Sequence, residues 1–188
     1  MRIEDLIINL CDDPFNPELN FNVAVKYEEM GQSASAVTFY LRTTEYGHDT
    51  HSHLAYSSLL RMAYCFDTQN DRQHTVINCW RQAILVDPYR PEAFFILSNY
   101  YERQSAWQEA YVWANMGLAQ ADETPLPIDV GYPGRFALYY EKAVSGWWLG
   151  RREESIEIFN RLLTQDIPEH YRQSITENLK RINPDASI

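Results

Sequence analysis

The sequence predicts an all-α chain, an α-solenoid of about four helical hairpins with a capping helix at each end. Three observations carry this. Apolar and small residues recur at helical spacing, as in Val23, Ala24 and Tyr27 and again in Phe94, Leu97, Ser98 and Tyr101. Turn signals at Gly31, at Ser105 and at Gly150 split these stretches into pairs. The pairs themselves recur, and self-similarity at a nearly fixed period is the mark of a solenoid.

In chain order, "RIEDLIINL" before Pro14 reads as an N-terminal capping helix over about 2–11. The first hairpin spans about 17–50, with Ala36 and Tyr40 on the second helix, spaced i, i+4. "YGHDTHSHLA" then lengthens the connection. The second hairpin, about 56–90, carries Leu59, Met62, Ala63 and Phe66, a polar turn at Asn70, and a stop at Asp87 and Pro88. The third, about 91–122, turns at Ser105 and continues through Ala110 and Ala114. "DETPLPIDVGYPGR" follows, where Pro125, Pro127, Gly131, Pro133 and Gly134 forbid a helix. The fourth hairpin, about 136–168, places Tyr139, Ala143 and Gly146 before the Gly150 hinge, then Ser155, Phe159 and Leu162. A polar-faced capping helix over about 168–182 closes the array.

Small residues at the eighth and twentieth places of each copy, an aromatic at the eleventh, a hinge glycine and a closing proline resemble the tetratricopeptide repeat. The third copy fits without a gap; the second takes one extra residue near Arg72; in the fourth, Lys142 stands where a core residue is expected. In that register Gly146 replaces the inward aromatic and leaves room for Trp147, Trp148 or a neighbouring helix. The second half, "PLPIDVGYPGRFALYYEKAVSGWWLGRREESIEIFNRLL" with "IPEHYRQSITENLKRI", is similar to helical segments that accompany family 2 glycosyltransferases of bacteria and their viruses. That resemblance implies an accessory role beside a sugar-transferring enzyme, and a bacterial or phage source. It brings no catalytic residue, because the nucleotide-sugar fold and its Asp-x-Asp motif are missing.

The 188 residues suit one domain, 1–188, and a hydrophobic content of 45% with 14% aromatics suits a folded one. A net charge of -10 repels a phosphate backbone, so nucleic acid is not an expected partner. No apolar run approaches the roughly 20 residues a bilayer span needs, and the acids early in the chain do not suit a leader peptide. A cytoplasmic location is expected. Cys11, Cys65 and Cys79 are an odd, scattered set, expected as small, partly buried helix residues rather than disulfide partners.

In tetratricopeptide arrays the first helix of each hairpin lines a groove, and the resemblance assigns that face residue by residue. The first copy contributes Glu18, Phe21, Asn22, Val25 and Glu28; the second, Leu60, Arg61, Tyr64 and Asp67. The third contributes Phe95, Asn99, Glu102 and Arg103; the fourth, Tyr140, Glu141, Val144 and Trp148. Such a surface, aromatic with an acidic edge, fits a peptide or helix bearing apolar anchors and Lys or Arg. The family's clamp for a terminal carboxylate is disfavoured, since Phe21, Val25 and Glu92 occupy its places and only Asn22 and Arg61 would help. The expected function is a non-catalytic interaction scaffold without cofactor, with a homo-oligomeric module as the alternative.

Competing chemistry is weaker. His48, Asp49, His51 and His53 have zinc-like chemistry, but their spacing puts no two histidines at i, i+4, and a solvated loop without metal is expected. The acid pairs Asp12–Asp13, Glu28–Glu29 and Glu153–Glu154 diverge by about 100° on a helix and do not face a common atom.

Overall fold

The computed structural model describes residues 1–69 and 72–182. The polar turn expected at Asn70 lies outside the described residues. These residues form ten helices and no strand: α1 (Ile3–Asp12), α2 (Pro17–Glu29), α3 (Ser33–Gly47), α4 (Ser52–Asp67), α5 (Gln73–Val86), α6 (Glu92–Arg103), α7 (Trp107–Leu118), α8 (Arg135–Trp148), α9 (Arg152–Leu163) and α10 (Glu169–Ile182). The fold is all-α and built of TPR-like hairpins. Packing divides the chain into two compact units, Met1–Ala93 with Gln120–Gly131, and Phe94–Ala119 with Tyr132–Ile188.

In the first unit, α2 starts where Pro17 sets the first helical position and the Asn16 side chain accepts from the Glu18 and Leu19 N–H groups. Leu6 and Leu10 of α1 close against Val23 of α2, with Leu19, Tyr27 and Phe39 around them. Ala24 and Ala36, at the eighth and twentieth places, are fully buried and let α2 and α3 approach. Tyr40 is fully buried beside them, a burial that stabilises by about 2 kcal/mol. Helix α4 is buried continuously from 54 to 60, because α2, α3 and α5 all pack on it. It begins at Ser52, four residues before the hairpin boundary expected at 56, so the lengthened connection shrinks to 48–51. Gly47 brings the end of α3 close to the start of α2: a Cβ there would stand 3.0 Å from Pro17 Cβ.

In the second unit, the Ser98 hydroxyl of α6 donates to the Ala110 carbonyl of α7 at 2.8 Å, joining the two small-residue places of one hairpin. Gly117 of α7 sits against Phe94 and Leu138, where a Cβ would come within 2.9 Å of each. Ala143, Ile158, Phe159 and Leu162 form a core that Ile167 and, from α10, Ile175 complete.

The hairpin turns at Gly31, Ser105 and Gly150 share one construction. Their φ values are 71°, 57° and 81°, in the left-handed region. The following N–H bonds back across the turn in each: Gln32 to Tyr27 O, Ala106 to Tyr101 O, Arg151 to Gly146 O. This is a Schellman closure, whose last residue also opens the next helix. Ser105 takes a conformation that glycine adopts without steric cost.

Of the two uses expected for the space at Gly146, the neighbouring helix is the one observed. A Cβ there would meet Ser155 Oγ at 3.1 Å and the Tyr111 ring at 3.3 Å, so the room is used by the second helix of its own hairpin and by α7.

Candidate functional site

On the first unit, the groove positions assigned to α2 and α4 meet in an ion-pair network. Arg61 Nε donates to Glu28 Oε2 at 3.1 Å and its Nη2 to Glu28 Oε1, a two-pronged, charge-assisted pair. The Tyr40 hydroxyl donates to the same Oε2 at 2.6 Å. Burial, then Glu28, raises the Tyr40 pKa, so the phenol stays a donor. The Arg61 guanidinium lies 4.8 Å from the centre of the Tyr64 ring, a cation–π contact that holds an aromatic 55% exposed. Its remaining nitrogen, Nη1, donates to the Asp129 carbonyl at 3.1 Å. Asn22, Glu18 and Asp67 are exposed and Val25 is half-buried, whereas Phe21 and Leu60 are buried.

A second cationic centre in this unit was missed by sequence reasoning. Arg90, only 3% exposed, donates to Glu92 Oε1 at 2.6 Å and to the Thr124 carbonyl at 2.6 Å, and reaches Asp122 at 3.5 Å. The Tyr56 hydroxyl donates to Glu92 Oε2 at 3.3 Å and accepts from the Ala93 N–H at 2.9 Å. The available signal was the cation and acid flanking Pro91, just where α6 begins.

On the second unit, Asn99 of α6 donates to Glu141 Oε1 of α8 at 3.0 Å, and Glu141 is 2% exposed. Burial pushes the Glu141 carboxyl up to about 7, and burial also raises Glu102. Arg103 is exposed; Tyr140 and Val144 are half-buried. Phe95 is 7% exposed and packs on Tyr132, ring centres 5.6 Å apart. Trp148, by contrast, is 61% exposed and stacks on Trp107 with ring centres 5.2 Å apart and planes 15° from parallel. Beside it opens a cavity of about 260 Å³ lined by Val144, Trp147, Phe159, Asn178, Arg181 and Ile182. Trp107 escaped sequence reasoning because it stands outside the first-helix register.

The other candidates resolve locally. His48 bonds Asp49 at 2.8 Å and His51 approaches Glu18 at 3.7 Å, while His53 lies in the first turn of α4. Among the described residues, no three His, Cys, Asp or Glu side chains are grouped to hold a metal ion. Cys65 and Cys79 are buried, but Cys11 is exposed on α1, contrary to expectation, because that helix turns Leu6 and Leu10 inward. Lys142, the misfit of the fourth copy, pairs with Glu154 at 2.8 Å and lies 5.6 Å from the centre of the Tyr111 ring. Its ammonium is thus accommodated at a partly buried place. Among the described residues no helix is long and apolar enough to cross a membrane.

No family model and no curated protein matches the chain. Solved structures do. A crystal structure of MamA superposes with a TM-score of 0.61 at 14% identity, covering 93% of this chain and 89% of that one. PilF of Pseudomonas aeruginosa gives 0.59 at 15% identity, over 89% of this chain and 68% of the other. A putative kinesin light chain of Podosopora anserina with nearly identical TPR-like repeats gives 0.55 at 18% identity, over 90% and 87%. At these identities the likeness is one of fold: this chain shares the all-helical, TPR-like architecture of those proteins.

Proposed function

We propose that the chain is a non-catalytic interaction scaffold whose first-helix faces bind a protein or peptide partner. Trp148 carries this reading. It is 61% exposed, yet Trp107 holds it in place beside an apolar recess. A pre-ordered tryptophan next to a cavity has the make-up of an interface hot spot, because little side-chain entropy is lost on binding. In this reading Asn22, Val25, Arg61, Tyr64, Asn99, Glu102, Arg103, Tyr140 and Val144 supply further contacts. Phe21, Leu60 and Phe95 are buried, each within its own unit, and are not offered to a partner. The TPR-like fold supports the assignment in general terms. A glycosyltransferase as partner, a cytoplasmic location and a bacterial or phage source rest on the sequence reading alone.

The test is capture from a native lysate, comparing the wild type with a Tyr64→Ala, Trp148→Ala variant that keeps its circular dichroism. A glycosyltransferase retained by the wild type and lost by the variant supports both the reading and its finer form. Retention of the same proteins by both removes Tyr64 and Trp148 from consideration. Recovery of the chain alone points to the homo-oligomeric alternative.

A further inference from the structure

The stretch Gln120–Gly131 belongs to the first compact unit although about a hundred residues separate it from α2. It is fastened at two points. The Asp122 N–H donates to the Tyr89 carbonyl at 3.1 Å, and Arg90 holds both Asp122 and the Thr124 carbonyl. Five residues on, Arg61 takes the Asp129 carbonyl. Side-chain turns close each end: Thr124 N–H on Asp122 Oδ1 at 2.9 Å, and Gly131 N–H on Asp129 Oδ1 at 2.8 Å. Over 125–130 the exposure alternates. Leu126, Ile128 and Val130 are half-buried, while Pro125, Pro127 and Asp129 are exposed. A period of two means that one side of the segment lies against the unit.

The clamps read main chain at Thr124 and Asp129, and Arg90 also meets the Asp122 carboxylate. Both arginines already balance their charge on Glu28 and Glu92, and it is their spare N–H groups that take carbonyls. Prolines at 125 and 127 suit such a surface, because they keep a carbonyl while removing an N–H that would need an acceptor. The fit is incomplete: Arg90 Nε is buried without an acceptor. An unmet buried donor weakens the hold of this occupant relative to one that satisfies it.

We infer that Gln120–Gly131 is a built-in occupant of the face framed by Arg61 of α4 and by Arg90, and that this face takes in trans a peptide segment with aliphatic side chains at alternate positions. The inference rests on the interaction reading above for its partner and on the clamps for its chemistry. A tethered occupant competes at an effective concentration of roughly millimolar, so it masks the face from weak ligands and yields to well-matched ones.

The test uses a fluorescein-labelled peptide of residues 122–131 and fluorescence anisotropy. In one variant, 125–130 is replaced by glycine and serine at unchanged length, leaving Asp122 and Thr124 on Arg90; circular dichroism checks its fold. That variant is expected to bind the peptide about tenfold or more tightly than the wild type, and not to bind one with 125–130 scrambled. Arg61→Ala in the same background is expected to weaken binding about fivefold or more. Equal binding by wild type and variant, no binding by the variant, equal affinity for the scrambled peptide, or indifference to Arg61→Ala overturns the inference. Such a result leaves the Trp148 surface untouched, since its residues are unchanged in these variants.

Discussion

Glu141 is a carboxyl group placed where water does not reach it. Oε1 accepts from Asn99, but Oε2 has no donor. Burial pushes its pKa up to about 7 from the ordinary value of 4.5. Between those two values the folded chain keeps a proton that the unfolded chain has lost. Stability therefore falls as pH rises through that window and levels off above it, by about 3 kcal/mol in all. Glu141→Gln keeps an oxygen for Asn99 and removes the charge, so its urea midpoint is expected to drop less between about pH 5 and about pH 8. Identical pH slopes for the two proteins would contradict this. Ser105 offers a second residue-scale prediction. With φ at 57° it bears a Cβ where the other two turns have none, and Ser105→Gly is expected to stabilise by about 0.5–1 kcal/mol in urea denaturation. The turn itself was legible in the sequence; its left-handed serine was not, because serine also fits ordinary turns.

Among the elements, helix pairing depends on where side chains are absent. Ala24 and Ala36 could be read from the sequence, since small residues at fixed places in a repeat mark close helix contacts. Gly117 could not, because its partners Phe94 and Leu138 come from helices on either side in the chain. A Cβ within 2.9 Å of Phe94 Cβ cannot be relieved by rotating a side-chain end. Gly117→Ala is therefore expected to cost about 1–3 kcal/mol, read as a lowered thermal midpoint. Ala119→Gly, on the exposed residue that ends α7, is the control and is expected to change stability by under about 0.5 kcal/mol. Gly146 teaches the same lesson from the other side. Its smallness was read as room for the tryptophans or a neighbouring helix, and neighbouring helices take it, through Tyr111 and Ser155.

For the molecule as a whole, binding and stability should separate at the exposed aromatics. Tyr64 and Trp148 are 55% and 61% exposed, so replacing both by alanine is expected to shift the unfolding free energy by no more than about 1–2 kcal/mol, while partner capture is lost. Phe95→Ala would not make that separation, because at 7% exposure it opens a core cavity. The sequence by itself determined the helical hairpins, the order of the elements and the small-residue places, since periodicity and turn chemistry are local properties of the chain. Which groove-register residues stay available was decided only by tertiary packing. Neighbouring helices buried Phe21, Leu60 and Phe95 and left Trp148 standing on Trp107. The seating of Gln120–Gly131 on Arg61 and Arg90 was decided there too. A contact between residues 61 and 129 leaves no periodic trace in either stretch, because it is made by a side-chain donor and a main-chain carbonyl that every residue possesses.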